Sequence, residues 1–292
     1  MSYRADVVLR KNSCVGEGPI WDVQSRSLLW VDVREGKVMR FNPSTLLNEE
    51  FEIGKHVGAV ALTDTKKVLV AAKDEFLWLD LLDRTISRIA KASHADDFRF
   101  NDGRVDVAGR FVVGTMGYSP QPGTASLYSF SLPGNLKEII SGVGLSNGLC
   151  WNQENSKLFY IDTLTAQIAR YEYDAESGEV RNREAIIKFE PSQGSPDGMT
   201  IDVEGNLWVG FWGGGCIRNI SQTGEIIREI EIPVSRVTSA AFGGDNLNEL
   251  YVTTASYQLT AEELANQPLA GSLFVIETQT QGLPEHRISV GI

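Results

Sequence analysis

Cysteine is scarce in this sequence and oddly placed. Its 292 residues hold only Cys14, Cys150 and Cys216, far apart and with no CxxC pair. An odd, dispersed set excludes a disulfide framework and a thiolate zinc site, and it reads as reduced thiols in a cytoplasm. Long hydrophobic runs are also missing: no stretch approaches the roughly 20 apolar residues of a membrane helix. Met1-Ser2-Tyr3-Arg4-Ala5-Asp6 lacks the apolar core of a secretory signal, so the sequon Asn219-Ile220-Ser221 reads as an accident. Basic residues are the minority, 27 against 38 acidic, and form no cluster. A net charge of −11 argues against nucleic acid or an anionic membrane as partner.

Linkers are absent as well. No Pro-rich or Ser-rich tract, charge block or low-complexity segment divides the chain, so one domain over residues 1–292 is expected, with 42% hydrophobic residues to build its core. Gly213-Gly214-Gly215 is not followed by Lys-Ser/Thr and is no phosphate loop. No Gly-x-Ser-x-Gly or Ser-His-Asp arrangement supports a serine nucleophile.

What is present is a repeat. An Asp/Asn/Gly turn followed by an apolar triplet recurs as Leu29-Trp30-Val31, Val68-Leu69-Val70, Phe111-Val112-Val113, Phe159-Tyr160-Ile161, Leu207-Trp208-Val209 and Leu250-Tyr251-Val252. The central residues are 39, 43, 48, 48 and 43 positions apart. Turns such as Asp22-Val23-Gln24, Asp106-Val107-Ala108-Gly109, Asn152-Gln153-Glu154-Asn155 and Asp202-Val203-Glu204-Gly205 punctuate short β-branched and aromatic strands, the mark of hairpins. A period of roughly 40 to 50 residues with about four strands is a propeller blade. The expected fold is all-β, a six-bladed β-propeller with four-stranded blades. Thr260 and Glu263 form a capping box that predicts one short surface helix in the last blade.

Four polar signatures ride on this repeat: Gly16-Glu17-Gly18-Pro19, Arg99-Phe100-Asn101-Asp102-Gly103, Ser146-Asn147-Gly148 and Ser195-Pro196-Asp197-Gly198. Glu17 and Asn147 stand 13 positions before the centres of their triplets, Asn101 and Asp197 stand 11. Each alone reads as turn chemistry just upstream of a strand. Matching offsets instead place them at equivalent points of four blades, converging at one end of the central channel. His56 and Thr238 hold the neighbouring places, and His56 reads as a structural histidine; His94 and His286 read as surface. Arg99 beside Asp96 and Asp97 reads either as a surface ion pair or as a group at the site. Trp21 and Trp212 read as adjoining the mouth. Glu17, Asn147 and Asp197 offer two carboxylates and an amide carbonyl, an oxygen-only set suited to a hard divalent cation. A cation with open positions polarises carbonyls and activates water, which points to ester or lactone hydrolysis.

Taken in order, Gly16-Glu17-Gly18-Pro19-Ile20-Trp21-Asp22, Asn101-Asp102-Gly103, Gly114-Thr115-Met116, Ser146-Asn147-Gly148-Leu149, Pro196-Asp197-Gly198-Met199, Gly205-Asn206-Leu207-Trp208-Val209 and Phe242-Gly243-Gly244 resemble the senescence marker protein-30, gluconolactonase and regucalcin family. The resemblance implies a six-bladed propeller that opens sugar lactones with one divalent metal ion, calcium first among calcium, zinc, manganese, magnesium and iron(II). It implies Glu17, Asn147 and Asp197 as metal ligands, Asp197 also as the proton-transfer residue, and Arg99 and Asn101 as substrate contacts. Asp102 is expected to support the site beside the substrate. Where some members carry acidic residues after Gly-Thr-Met, this chain continues Gly117-Tyr118-Ser119-Pro120, which makes Tyr118 the candidate sugar contact. The rival readings are a non-catalytic calcium-binding or regulatory propeller, a hydrolase of a non-sugar ester and, last, a protein-interaction scaffold.

Overall fold

The turn residues close their hairpins with their own side chains. Asp106 Oδ1 accepts from the backbone N–H groups of Ala108 (3.0 Å) and Arg110 (2.8 Å). Asp202 Oδ1 accepts from Glu204 (3.0 Å) and Asn206 (2.8 Å), and Asn152 Oδ1 from Ser156 (2.9 Å) and Lys157 (2.8 Å). Short oxygen-bearing side chains that satisfy the amides of a turn fix it. Each of these turns joins the first two strands of a four-stranded antiparallel sheet.

The computed structural model describes residues 3–291; Met1 and Ser2 of the N-terminal stretch, and Ile292 at the far end of the 1–292 span, lie outside the described residues. Six such sheets form an all-β, six-bladed propeller. The first blade runs Gly16–Asp22, Ser27–Asp32, Lys37–Asn42 and Leu47–Glu52 from the axis outward. The inner strands of the next five are Val57–Leu62, Phe98–Val105, Ser146–Trp151, Ser195–Ile201 and Val237–Gly243. Each inner strand packs on those of both neighbouring blades, closing a ring. The sixth blade takes its outermost strand, Ala5–Leu9, from the other end of the chain, paired with Leu273–Glu277.

The apolar triplets form the second strand of every blade, and their centres Trp30, Leu69, Val112, Tyr160, Trp208 and Tyr251 are all buried. Each buried large side chain contributes about 1.5–3 kcal/mol to the ring. Trp21 belongs to this core too: it is stacked on Tyr251 at 5.5 Å, at the end of the blade away from the mouth, which corrects its expected place. The helix is Ala261–Asn266, and its capping box is complete: Glu263 N–H donates to Thr260 Oγ1 (3.2 Å) and Thr260 N–H to Glu263 Oε2 (2.7 Å).

Residues 278–291 cross the end of the ring formed by the first hairpins. Gly282 N–H donates to Leu247 O (2.8 Å), Val203 N–H to Gln281 O (2.8 Å), and Ile288 N–H to Leu62 O (3.0 Å). Arg104 of the third blade pairs with Glu285 at 3.0 Å, and Asp22 of the first pairs with Arg287. The tail thus floors the channel opposite the mouth.

Candidate functional site

The antiparallel register of every inner strand slips near its mouth end. The slips fall between Glu17 and Ile20, Val57 and Ala59, Phe100 and Gly103, Ser146 and Leu149, Pro196 and Met199, and Val237 and Ser239. A bulge leaves residues unpaired and re-aims their side chains. The polar signatures therefore lie inside the inner strands, not in turns before a strand. In the third blade Asp102 takes the place in the slip that Gly148 and Gly198 hold in the next two, so Asn101 stands one residue further from its glycine.

Close approach explains the glycine that follows. A Cβ on Gly148 would sit 2.7 Å from Asp197 O and 2.8 Å from Met199 N, so only glycine lets the fourth and fifth inner strands meet there. Gly18 is the one signature glycine whose φ, +52°, itself favours glycine.

Glu17, Asn147 and Asp197 are brought together and buried, at 7%, 4% and 8% exposure. The carboxyl groups of Glu17 and Asp197 are within hydrogen-bonding reach of each other. Burial, then the charges of Asp197 and Asp102, pushes the Glu17 carboxyl well above its usual range. Burial and the Asp102 charge push Asp197 up as well, against the opposing effects of the Glu17 hydrogen bond and Arg99. Asn147 is oriented from both sides. Its Nδ2 donates to Thr163 Oγ1 (2.8 Å), and its Oδ1 accepts from Asn101 Nδ2 (2.7 Å). Thr163 Oγ1 in turn donates to Pro196 O (2.8 Å). Asn101 Nδ2 also donates to Ser146 O (2.7 Å).

Arg99 turns inward and makes no ion pair with Asp96 or Asp97. Its guanidinium donates to Phe100 O and to Asn101 Oδ1, both at 2.8 Å, and burial lowers its pKa to about 10. Asp102 lines the channel below, accepting from Gly103 N–H (2.8 Å), and burial raises its carboxyl to about 6. Tyr118 is 44% exposed at the mouth, its hydroxyl 2.8 Å from His56 Nδ1. His56 thus belongs to the mouth and not only to the frame. His94 is half-buried, edge-on to Phe100 at 5.0 Å, rather than free on the surface.

Thr163 escaped the sequence reading, because it comes from the turn after the second strand of the fourth blade and shares no offset with the signatures. The one signal was Asp162 beside it, whose carboxylate braces Gly144 and Leu145 N–H just as Asp32 braces Cys14 and Val15 in the first blade.

Among the described residues no three or more His, Cys, Asp and Glu side chains cluster as a cage. The donor set is two carboxyls and one amide oxygen. Two buried carboxyls facing each other and pushed toward their protonated forms are the arrangement a divalent cation relieves, and the remaining positions would go to water or ligand. The residues fit such an ion.

The family described as SMP-30/Gluconolactonase/LRE-like region matches residues 15–256. A Bacillus subtilis protein, YvrE, named for a proposed sugar lactone lactonase activity, is 39% identical over 95% of this chain and 96% of its own length. Regucalcin of Danio rerio is 36% identical over 98% of both chains. The solved structure of a luciferin-regenerating enzyme superposes with a TM-score of 0.92 at 30% identity, covering 99% of this chain and 100% of that one.

Proposed function

The chain belongs to the SMP-30/gluconolactonase/LRE-like family, and from that premise we propose that it is a divalent-metal-dependent lactonase that opens sugar lactones to aldonic acids. The observation that carries this reading is the buried, mutually facing pair Glu17 and Asp197, joined by an Asn147 amide fixed from both sides. These three residues would hold one cation, calcium first, with zinc, manganese, magnesium or iron(II) as alternatives. When bound, the ion supplies polarisation of the lactone carbonyl and a lowered pKa for water.

The chain's own residues do the rest. Asp197, whose burial strengthens its hold on a proton, takes the proton of the attacking water. Oxygen adds to the carbonyl carbon, the ring C–O bond breaks, and Asp197 returns its proton to the departing ring oxygen, leaving a hydroxyl and a carboxylic acid that ionises. Arg99, locked by Phe100 O and Asn101 Oδ1, presents its other N–H groups to sugar hydroxyls. Asn101 couples that arginine to Asn147, so substrate and ligand set share one frame. Asp102 and Tyr118 face the same space from below and from the rim.

The test is acid release in a weakly buffered indicator assay, on chelator-stripped protein with each ion restored, against gluconolactone, xylonolactone and galactonolactone. Metal-dependent acid release is expected. Metal binding with no acid release from any of them would sink the lactonase reading in favour of a non-catalytic metal-binding propeller.

A further inference from the structure

The mouth above the carboxyl pair is cationic, although the whole chain carries −11. Three basic residues stand at the mouth ends of strands from three blades. Arg34 follows the strand Ser27–Asp32, Lys73 follows Lys67–Ala72, and Arg99 lies on Phe98–Val105. Lys73 is clamped between two inner strands: its N–H donates to His56 O (2.7 Å), its O accepts from Phe100 N–H (2.8 Å), and its φ is +46°. That left-handed backbone is costly for a lysine, so the fold over-determines its place. All three cations lie near enough to His56 to add to its burial in disfavouring its protonation.

None of the three reaches a carboxylate among the described residues. Arg34 stands over the Tyr257 ring at 4.2 Å, and Arg99 bonds only Phe100 O and Asn101 Oδ1. By contrast Lys37, Arg40, Lys55, Arg88 and Lys91 of the same two first blades each reach a carboxylate. Glu35, Asp96 and Asp97 of the mouth loops are exposed and pair with none of the three, and Asp74, next to Lys73, is paired instead with Lys91 at 3.1 Å. His56 completes the rim. Its Nδ1 is held by the Tyr118 hydroxyl, with the rings 5.3 Å apart, and its Nε2 has no partner among the described residues.

We infer that Arg34, His56, Lys73 and Arg99 form a subsite for an anionic substituent, so that the preferred lactone carries a carboxylate or phosphate ester away from its reacting carbonyl. This rests on the lactonase reading. An acidic protein repels an anionic substrate at long range, and a local cationic entrance is what reverses that field. Guanidinium groups with no carboxylate partner in the protein gain most from a charge-assisted bond to carboxylate or phosphate.

The test compares kcat/KM of the calcium-loaded protein for gluconolactone, glucarolactone and phosphorylated gluconolactone. The anionic lactones are expected to be favoured about tenfold, the worth of one bond to a charged group. The preference should fall about tenfold in Arg34→Gln and in Lys73→Gln, and should shrink as salt screens the rim. The carboxylate and phosphate arms decide between those two sources of charge. Because both variants alter partly exposed side chains, folding is not at stake, and the salt series needs no variant at all. Equal turnover of neutral and anionic lactones, insensitive to salt, would overturn the subsite and leave the lactonase standing. If no lactone is opened, calorimetric binding of phosphogluconate decides: binding weakened by Arg34→Gln sustains the subsite and sinks the lactonase, and unchanged or absent binding overturns both.

Discussion

The two ends of the central channel are built from the same six inner strands, yet they treat charge in opposite ways. At the mouth the strands bulge, and Glu17 and Asp197 face each other with their carboxyls pushed up by burial. At the floor the strands return to register and the tail matches charge with charge. Arg104 meets Glu285 at 3.0 Å and Thr200 Oγ1 at 3.3 Å, and Arg287 pairs with Asp22 and donates to Thr63 O (2.8 Å). One end satisfies its groups internally and holds the ring shut. The other leaves them for a ligand, as expected where local rules are broken at a functional site.

Breaking the mouth should cost chemistry, and breaking the floor should cost stability. Asp197→Ala is expected to lower kcat/KM on the best lactone about a thousandfold, the middle of the range for losing a general base, read in the acid-release assay. Activity retained within a few-fold would remove Asp197 from that role. Glu285→Ala should instead leave Arg104 uncompensated and destabilise the fold by about 3 kcal/mol, measured by urea unfolding, while turnover per folded molecule persists. A variant as stable as the parent would mean the floor does not lock the ring.

Acidity sharpens the same contrast. The carboxyls of Glu17, Asp102 and Asp197 hold protons more tightly in the folded chain than in the unfolded one. Without metal, their protonation stabilises the fold below the unfolded carboxylate range, and that contribution is lost as pH rises through the folded values. For Asp102 the window runs from its ordinary 3.8 to about 6. The melting temperature of chelator-treated protein should therefore fall as pH climbs through that range, and saturating calcium should flatten the slope. A metal-free melting temperature that rises across the window would contradict the mouth as drawn. The smallest effect is expected from Thr163→Val, which frees the Asn147 amide and should weaken calcium binding about tenfold by calorimetry, as losing a supporting hydrogen bond does.

Much of this was legible in advance because it is periodic. The triplets around Trp30, Leu69, Val112, Tyr160, Trp208 and Tyr251 announced one strand in each of six blades, and Asp106, Asn152 and Asp202 announced hairpins whose bonds are local. The convergence of Glu17, Asn147 and Asp197 followed from closely matching offsets, 13, 13 and 11, on that repeat. The bulges were not legible, since a one-residue slip changes no residue type. Nor were Thr163, Lys73 or the bond between His56 and Tyr118, since each joins different blades or crosses a turn.

The sequence by itself determined the blade number, the hairpins within the blades and the oxygen-rich residues at its repeated positions, because each rests on residue type and spacing within about 50 positions. Tertiary structure alone decided which way those residues point, that Gly148 lets one strand touch the next, that the tail neutralises the floor, and that three cations crowd the mouth. Those outcomes depend on closing the ring, which brings together strands far apart in the chain, and no local pattern encodes that closure.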